Sequence, residues 1–110
     1  MGTASFRLDI KPEWEKAIQQ GLKTIDVREN VQPYADVNKG DVIHYRSAKV
    51  KVTGIRAYAG LNDLFTYEKY KKIVPEAKDK NEAIRKMMEV APHVDQAHGI
   101  LAFEIELLKK

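Results

Sequence analysis

The chain has no cysteine in its 110 residues, which excludes disulfide staples and thiolate chemistry. Serine is almost absent: Ser5 and Ser47 are the two, and neither sits in a nucleophile-elbow motif. No glycine-rich stretch able to cradle phosphates occurs. Histidine is sparse as well. His44, His93 and His98 are scattered, the last two are off the usual helical pairing, and Pro92 breaks the helix there, so neither a metal nor a cofactor is expected. No apolar run approaches the roughly 20 residues of a membrane helix. No basic segment followed by an apolar stretch opens the chain, so a secretory leader is not expected. With cysteine missing too, a cytoplasmic location is the expectation. A strong excess of one charge is also lacking. The formal net charge is +3 and the isoelectric point is near 9.1, which permits contact with phosphates without demanding it.

What is present suits a globular protein: 44% hydrophobic and 32% charged residues. The length fits one domain spanning 1–110. Phe6, Leu8 and Ile10 alternate with Arg7, Asp9 and Lys11, the period of a strand over Ser5 to Lys11. Pro12 opens a helix, where its missing N–H costs nothing, and Gly21 ends it. Trp14, Ala17 and Ile18 form that helix's apolar stripe. A second strand runs from Lys23 to Glu29, with Ile25 and Val27 facing one way and Thr24, Asp26 and Arg28 the other. Asn38-Lys39-Gly40-Asp41 reads as a turn. Val42 to Arg46 and Lys49 to Arg56 read as a hairpin. Asn62 to Ile73 suggests a helix with Leu64, Tyr67, Tyr70 and Val74 on its apolar face. Asp79 and Glu82 resemble a capping box before a helix bearing Ala83, Ile84, Met87, Met88 and Ala91 on one stripe. Ile100 to Leu108 alternates as a last strand, a natural partner for the first. The expected class is α+β: a mixed, mostly antiparallel sheet curled into a barrel and flanked by helices.

The chemistry concentrates in Gly21-Leu22-Lys23-Thr24-Ile25-Asp26-Val27-Arg28. Asp26 and Arg28 stand two residues apart on one strand face, about 7 Å along the chain. They can pair with each other or jointly read a ligand. The Arg28 fork suits a phosphate or a base edge, and Asp26 suits an amino donor. Lys23 stands at the junction, within reach of the same space. Basic residues gather in two further places: Arg46, Lys49, Lys51 and Arg56 around the hairpin, and Lys69, Lys71 and Lys72 on a helix. Either set can follow a phosphate backbone or simply be a solvated face. Tyr34 and Tyr45 can stack a base or cap the barrel end.

The Gly-x-Lys-x-x-Asp-x-Arg pattern of residues 21–28 resembles the signature of the ASCH family, a branch of the PUA-like superfamily, which typically has Glu where Asp26 stands. Asn38-Lys39-Gly40-Asp41-Val42-Ile43 is similar to the family's Lys-Gly-Asp turn. His98-Gly99-Ile100-Leu101-Ala102-Phe103 is similar to its closing aromatic-Gly-Val-Leu-Ala strand. The resemblance implies a six-stranded or similar PUA-like barrel whose signature residues line a cleft. It further implies binding of RNA or of a modified nucleoside by Lys23, Asp26, Arg28 and His98, to which Tyr34 adds a loop aromatic able to stack the base. One branch of the family consists of metal-free acetylcytidine amidohydrolases that use a Lys, a Thr and a Glu. Lys23 matches the Lys. The catalytic Thr falls at Asp26, Thr24 is displaced by two residues, and the Glu falls in or near Val74 to Glu76. That alternative makes Lys23, Thr24 and Asp26 the catalytic set. A small ribonuclease is a further alternative. Binding is the favoured reading, because Asp26 replaces the expected nucleophile.

Overall fold

A computed structural model describes residues 3–92 and 98–108. Its elements follow in the order β1 (Ser5–Arg7), α1 (Pro12–Gln19), β2 (Ile25–Glu29), a 3-10 turn (Tyr34–Asp36), β3 (Val42–His44), β4 (Lys49–Tyr58), α2 (Leu61–Tyr67), α3 (Tyr70–Ile73), α4 (Lys80–Val90) and β5 (Ile100–Leu107). The strands form one five-stranded sheet in the order β1-β3-β4-β5-β2. β1 lies parallel to β3, and the other pairings are antiparallel.

The sheet curls because its two longest strands, β4 and β5, are paired through a register shift between Val52 and Gly54. Each face then buries its own core. On one side Trp14, Ile25, Val27, Ile100 and Ala102 pack against α2, α3 and α4 through Leu61, Leu64, Phe65, Ile73 and Met87. On the other, Ile43, Tyr45, Val50, Val52, Leu101, Phe103 and Ile105 fill the inside of the curl with Ile18 and Val37. Both faces of β5 are therefore buried along its first half, the pattern of a central strand.

Local rules account for the connections. α1 starts at Pro12 and ends before Gly21, whose φ of 77° is left-handed backbone. Asp41 locks the turn before β3: its Oδ2 accepts from the Asn38 N–H at 2.8 Å and its Oδ1 from the Ala4 N–H at 3.0 Å. That tether brings β1 beside β3. A four-residue connection, Tyr45-Arg46-Ser47-Ala48, joins β3 to β4, closed by the Tyr45 N–H donating to the Ala48 carbonyl at 2.9 Å. The buried Glu15 accepts from the N–H groups of Ser47 and Ala48 and pins that loop to α1. Asp79 caps α4 by accepting from the Glu82 N–H at 2.8 Å.

Four expectations need correction. The sheet is an open half-barrel of five strands among the described residues, not a closed six-stranded barrel. β1 does not pair with β5, because β4 and β2 take both edges of β5. The helix expected over Asn62 to Ile73 is two helices, broken at Glu68 in extended backbone. There the Glu68 carboxylate turns away to accept from the Arg56 guanidinium and the Tyr58 hydroxyl. The break leaves Tyr67 75% exposed, its ring stacked on Tyr58 instead of buried. Finally, Met88 is 37% exposed while Met87 is 2% exposed, so the α4 stripe is narrower than its spacing suggested.

Candidate functional site

β2 is where sheet geometry and charge meet. In its register, Asp26 stands opposite Phe103 and Arg28 opposite Leu101. Both polar side chains thus lie on the concave side with Phe103 and Leu101, while Ile25 and Val27 face the helical layer. Asp26 and Arg28 do share one face, as their spacing predicts. That face is the inside of the curl, and Ile25 and Val27 meet the helices on the other side.

The pair is held in a fork. Arg28 donates from Nε to Asp26 Oδ1 at 3.0 Å and from Nη2 to Oδ2 at 3.1 Å. Nη2 also reaches the Asp9 carbonyl at 2.8 Å, so one guanidinium spans the open seam between the end of β1 and β2. Arg28 Nη1 has no hydrogen-bond partner among the described residues. The Tyr34 ring lies 5.5 Å from the guanidinium carbon. Tyr45, inside the curl, donates its hydroxyl proton to Asp26 Oδ2 at 2.6 Å.

Burial alone would push the Asp26 carboxyl up. The charges of Arg28 and Lys23, with hydrogen bonds from Arg28 and Tyr45, outweigh it and hold the carboxyl below its usual range. Burial would likewise discourage the Arg28 charge, but Asp26 more than offsets it and the guanidinium is held above its usual value. Burial and then the Asp26 charge push the Tyr45 phenol well above its ordinary value. Asp26 is thus a fixed anion with both oxygens occupied, a good acceptor and a weak general base.

Lys23 lies beneath this pair. It is 2% exposed, and its ammonium donates to the carbonyls of Ile25, at 2.9 Å, and Ile73. The Trp14 ring covers it at 4.7 Å. Burial lowers its pKa to about 8, against the opposing pull of Asp26. Trp14 in turn donates from Nε1 to Glu76 Oε2 at 3.0 Å.

A cleft of about 310 Å³ opens over the pair. Asp9, Lys11, Trp14, Asp26, Arg28, Glu29 and Tyr34 supply its polar and aromatic wall, and Met87 and Val90 of α4 with the following Ala91 its apolar side. Of the residues singled out in the sequence, Asp26, Arg28 and Tyr34 come together here. Lys23 sits behind the Trp14 wall. Thr24 opens elsewhere, lining a second hollow with Lys23, Lys72 and Glu104. His98 is exposed and does not line the cleft. His93 lies outside the described residues. No cluster of three or more His, Asp or Glu able to hold a metal ion occurs among the described residues. None of their helices is long and apolar enough to cross a membrane.

Three contributors were not read as site residues from the sequence. Tyr45 was left open between stacking and capping, although it follows Ile43 by two and so shares its buried face. Trp14 read as a core residue only. The Asp9 carbonyl is a backbone group, which side-chain pattern does not mark.

Comparison with known proteins agrees with this architecture. The crystal structure of hypothetical protein PH0355 is similar with a TM-score of 0.87 at 24% identity, over 94% of this chain and 99% of that one. The solution structure of protein PF0455 from Pyrococcus furiosus is similar with a TM-score of 0.80 at 24% identity, over 96% and 99%. The crystal structure of ASCH from Zymomonas mobilis is similar with a TM-score of 0.62 at 16% identity, over 91% of this chain and 65% of that one. No curated protein matches the sequence. Residues 8–109 match the ASCH domain, a span that takes in the Asp26–Arg28 fork, the Asp41 turn and β5 alike, and the chain belongs to the ASCH domain family.

Proposed function

We propose that this protein binds RNA by receiving a base or modified nucleoside in the cleft over Asp26 and Arg28. The observation that carries the reading is the Arg28 guanidinium, which lines the cleft: it is clamped by Asp26 and the Asp9 carbonyl, flanked by Tyr34, and its Nη1 has no hydrogen-bond partner among the described residues. A fixed donor beside an aromatic face suits a base edge or a phosphate. The cleft volume is that of a small-molecule site. Membership of the ASCH family supports a nucleic-acid ligand. Lys23 contributes as a buried charge behind the wall, and His98 as an exposed group after α4, rather than as cleft donors. Asp26 with both oxygens occupied, and Thr24 opening elsewhere, favour binding over the amidohydrolase and ribonuclease alternatives.

Titration of free nucleosides and short single-stranded RNAs tests this. Arg28→Ala should weaken binding by about 1–3 kcal/mol. Asp26→Asn should alter base preference more than affinity, because it keeps the shape and changes the acceptor pattern. Absence of binding by the wild-type chain at low salt, or equal binding by both variants, refutes the site. Release of acetate from acetylcytidine would instead establish the hydrolase.

A further inference from the structure

The basic residues around the hairpin divide into two kinds once the strands are paired. Arg56 is committed: Glu68 and Glu104 hold it. Lys51 stands across from Glu106 on β5. Arg46 and Lys49 have no such partner, and the sheet gives them new neighbours. Arg7 pairs with His44 across β1 and β3, and His44 pairs with Lys49 across β3 and β4. The adjoining row, Phe6–Ile43–Val50, points into the concave core, so Arg7, His44 and Lys49 form one row on the opposite face. Arg46 follows at the hairpin loop, and Arg7, Arg46 and Lys49 are all exposed. None of the four forms an ion pair among the described residues.

Arg7 and Lys49 thus flank His44 on one face, and two fixed cations beside an imidazole make a surface suited to an anion. The row also leads somewhere. Arg7, His44 and Arg46 line a groove of about 780 Å³ that shares Asp9 and Ile10 with the cleft over Arg28. Of the groove's carboxylates, Glu15 is occupied by the Ser47 and Ala48 N–H groups. Asp9 sits at the shared rim.

We propose that the Arg7–His44–Lys49 row with Arg46 is a track for the phosphates of single-stranded RNA, running from the cleft across the β1–β3–β4 edge. The inference rests on the base-binding reading of the cleft and narrows it. The ligand is a strand rather than a free nucleoside, with one base in the cleft and its neighbouring phosphates on the row.

The test compares a free nucleoside with an RNA of about ten nucleotides, a length within known single-strand site sizes. The variant is Arg7→Gln, Arg46→Gln and Lys49→Gln combined. Each lost phosphate contact on a single strand shallows the salt slope by about 0.7, so the slope should fall by about 2. Over a fourfold rise in salt, the wild type should then lose about 20-fold more affinity than the variant. Nucleoside binding should not change, and thermal stability should hold, because all three substituted side chains are exposed. Unchanged oligomer affinity and slope overturn the track, as does equal binding of a polyglutamate peptide of matching charge. Should the triple variant lose RNA while Arg28→Ala binds normally, the track stands and the cleft reading fails. Should Lys49→Gln alone flatten the slope by the full amount, one residue rather than a row is responsible and the track is overturned.

Discussion

The Tyr45 hydroxyl and the Asp26 carboxylate meet at 2.6 Å across the inside of the curled sheet. This contact ties the β3–β4 corner to β2, two parts of the sheet that share no ladder. It also gives Asp26 Oδ2 two donors, since Arg28 reaches both carboxylate oxygens from the other side.

Tyr45→Phe removes one hydrogen bond to a buried carboxylate and should cost about 1–3 kcal/mol in denaturant unfolding. The folded Asp26 holds its proton less tightly than the unfolded chain does. Its contribution is therefore present above about pH 4, the ordinary carboxylate value, and is lost as pH falls through the lower folded value. Losing the Tyr45 donor raises that folded value, so acid unfolding should begin at higher pH in the variant. An acid midpoint identical to wild type would mean that Tyr45 adds nothing to the Asp26 charge.

Lys23 gives the opposite pH signature. Its folded pKa of about 8 lies below the unfolded 10.5, so the unfolded chain binds more protons between those values. Stability attributable to Lys23 should therefore rise by about 3 kcal/mol from pH 8 to 10.5 and stay flat below pH 8. Lys23→Met, which keeps most of the apolar stem, should abolish the rise. Unfolding midpoints measured across that window decide the matter, and a slope surviving in the variant assigns it to another group.

Adjacent methionines on α4 should behave differently. Met87→Ala opens space in the core under the helices and should destabilise by about 2–5 kcal/mol. Met88→Ala, at an exposed position, should change stability by no more than about 0.5 kcal/mol. Equal effects in thermal melts would mean that α4 packs with a different face.

Two glycines share positive φ but differ in their surroundings. Alanine at Gly21 meets nothing within 4 Å, so Gly21→Ala should cost only the left-handed backbone penalty, about 1–2 kcal/mol. At Gly99 the added carbon would sit 2.9 Å from the Tyr58 carbonyl oxygen, and backbone there cannot swing aside. Gly99→Ala should therefore be the more damaging, through loss of the β4–β5 pairing at Tyr58 and Ile100. Comparable unfolding midpoints for the two variants would contradict this.

Much of this molecule is legible in residue order because the relevant physics is local. Pro12 and Gly21 bound α1, Asp79 and Glu82 announce α4, and alternation over residues 25–29 puts Asp26 and Arg28 on one face whatever they pack against. The β3–β4 hairpin follows from two alternating runs joined by a short polar link. Which side of the sheet a face meets is not local. With cores on both sides, the alternation of β2 is equally satisfied either way. Only the pairing of Asp26 with Phe103 turns the charged face inward onto Tyr45. Pairing also decided that β1 joins β3 rather than β5, and that Arg7, His44 and Lys49, from three separate segments, stand in a row. The same holds for charge. The sequence marks Lys23 at a helix-to-strand junction, but only burial under Trp14 between two carbonyls makes it a core group. Neighbour relations along the chain are set by covalent geometry. Those across the sheet arise when strands distant in sequence exchange hydrogen bonds, and the site is built from the second kind.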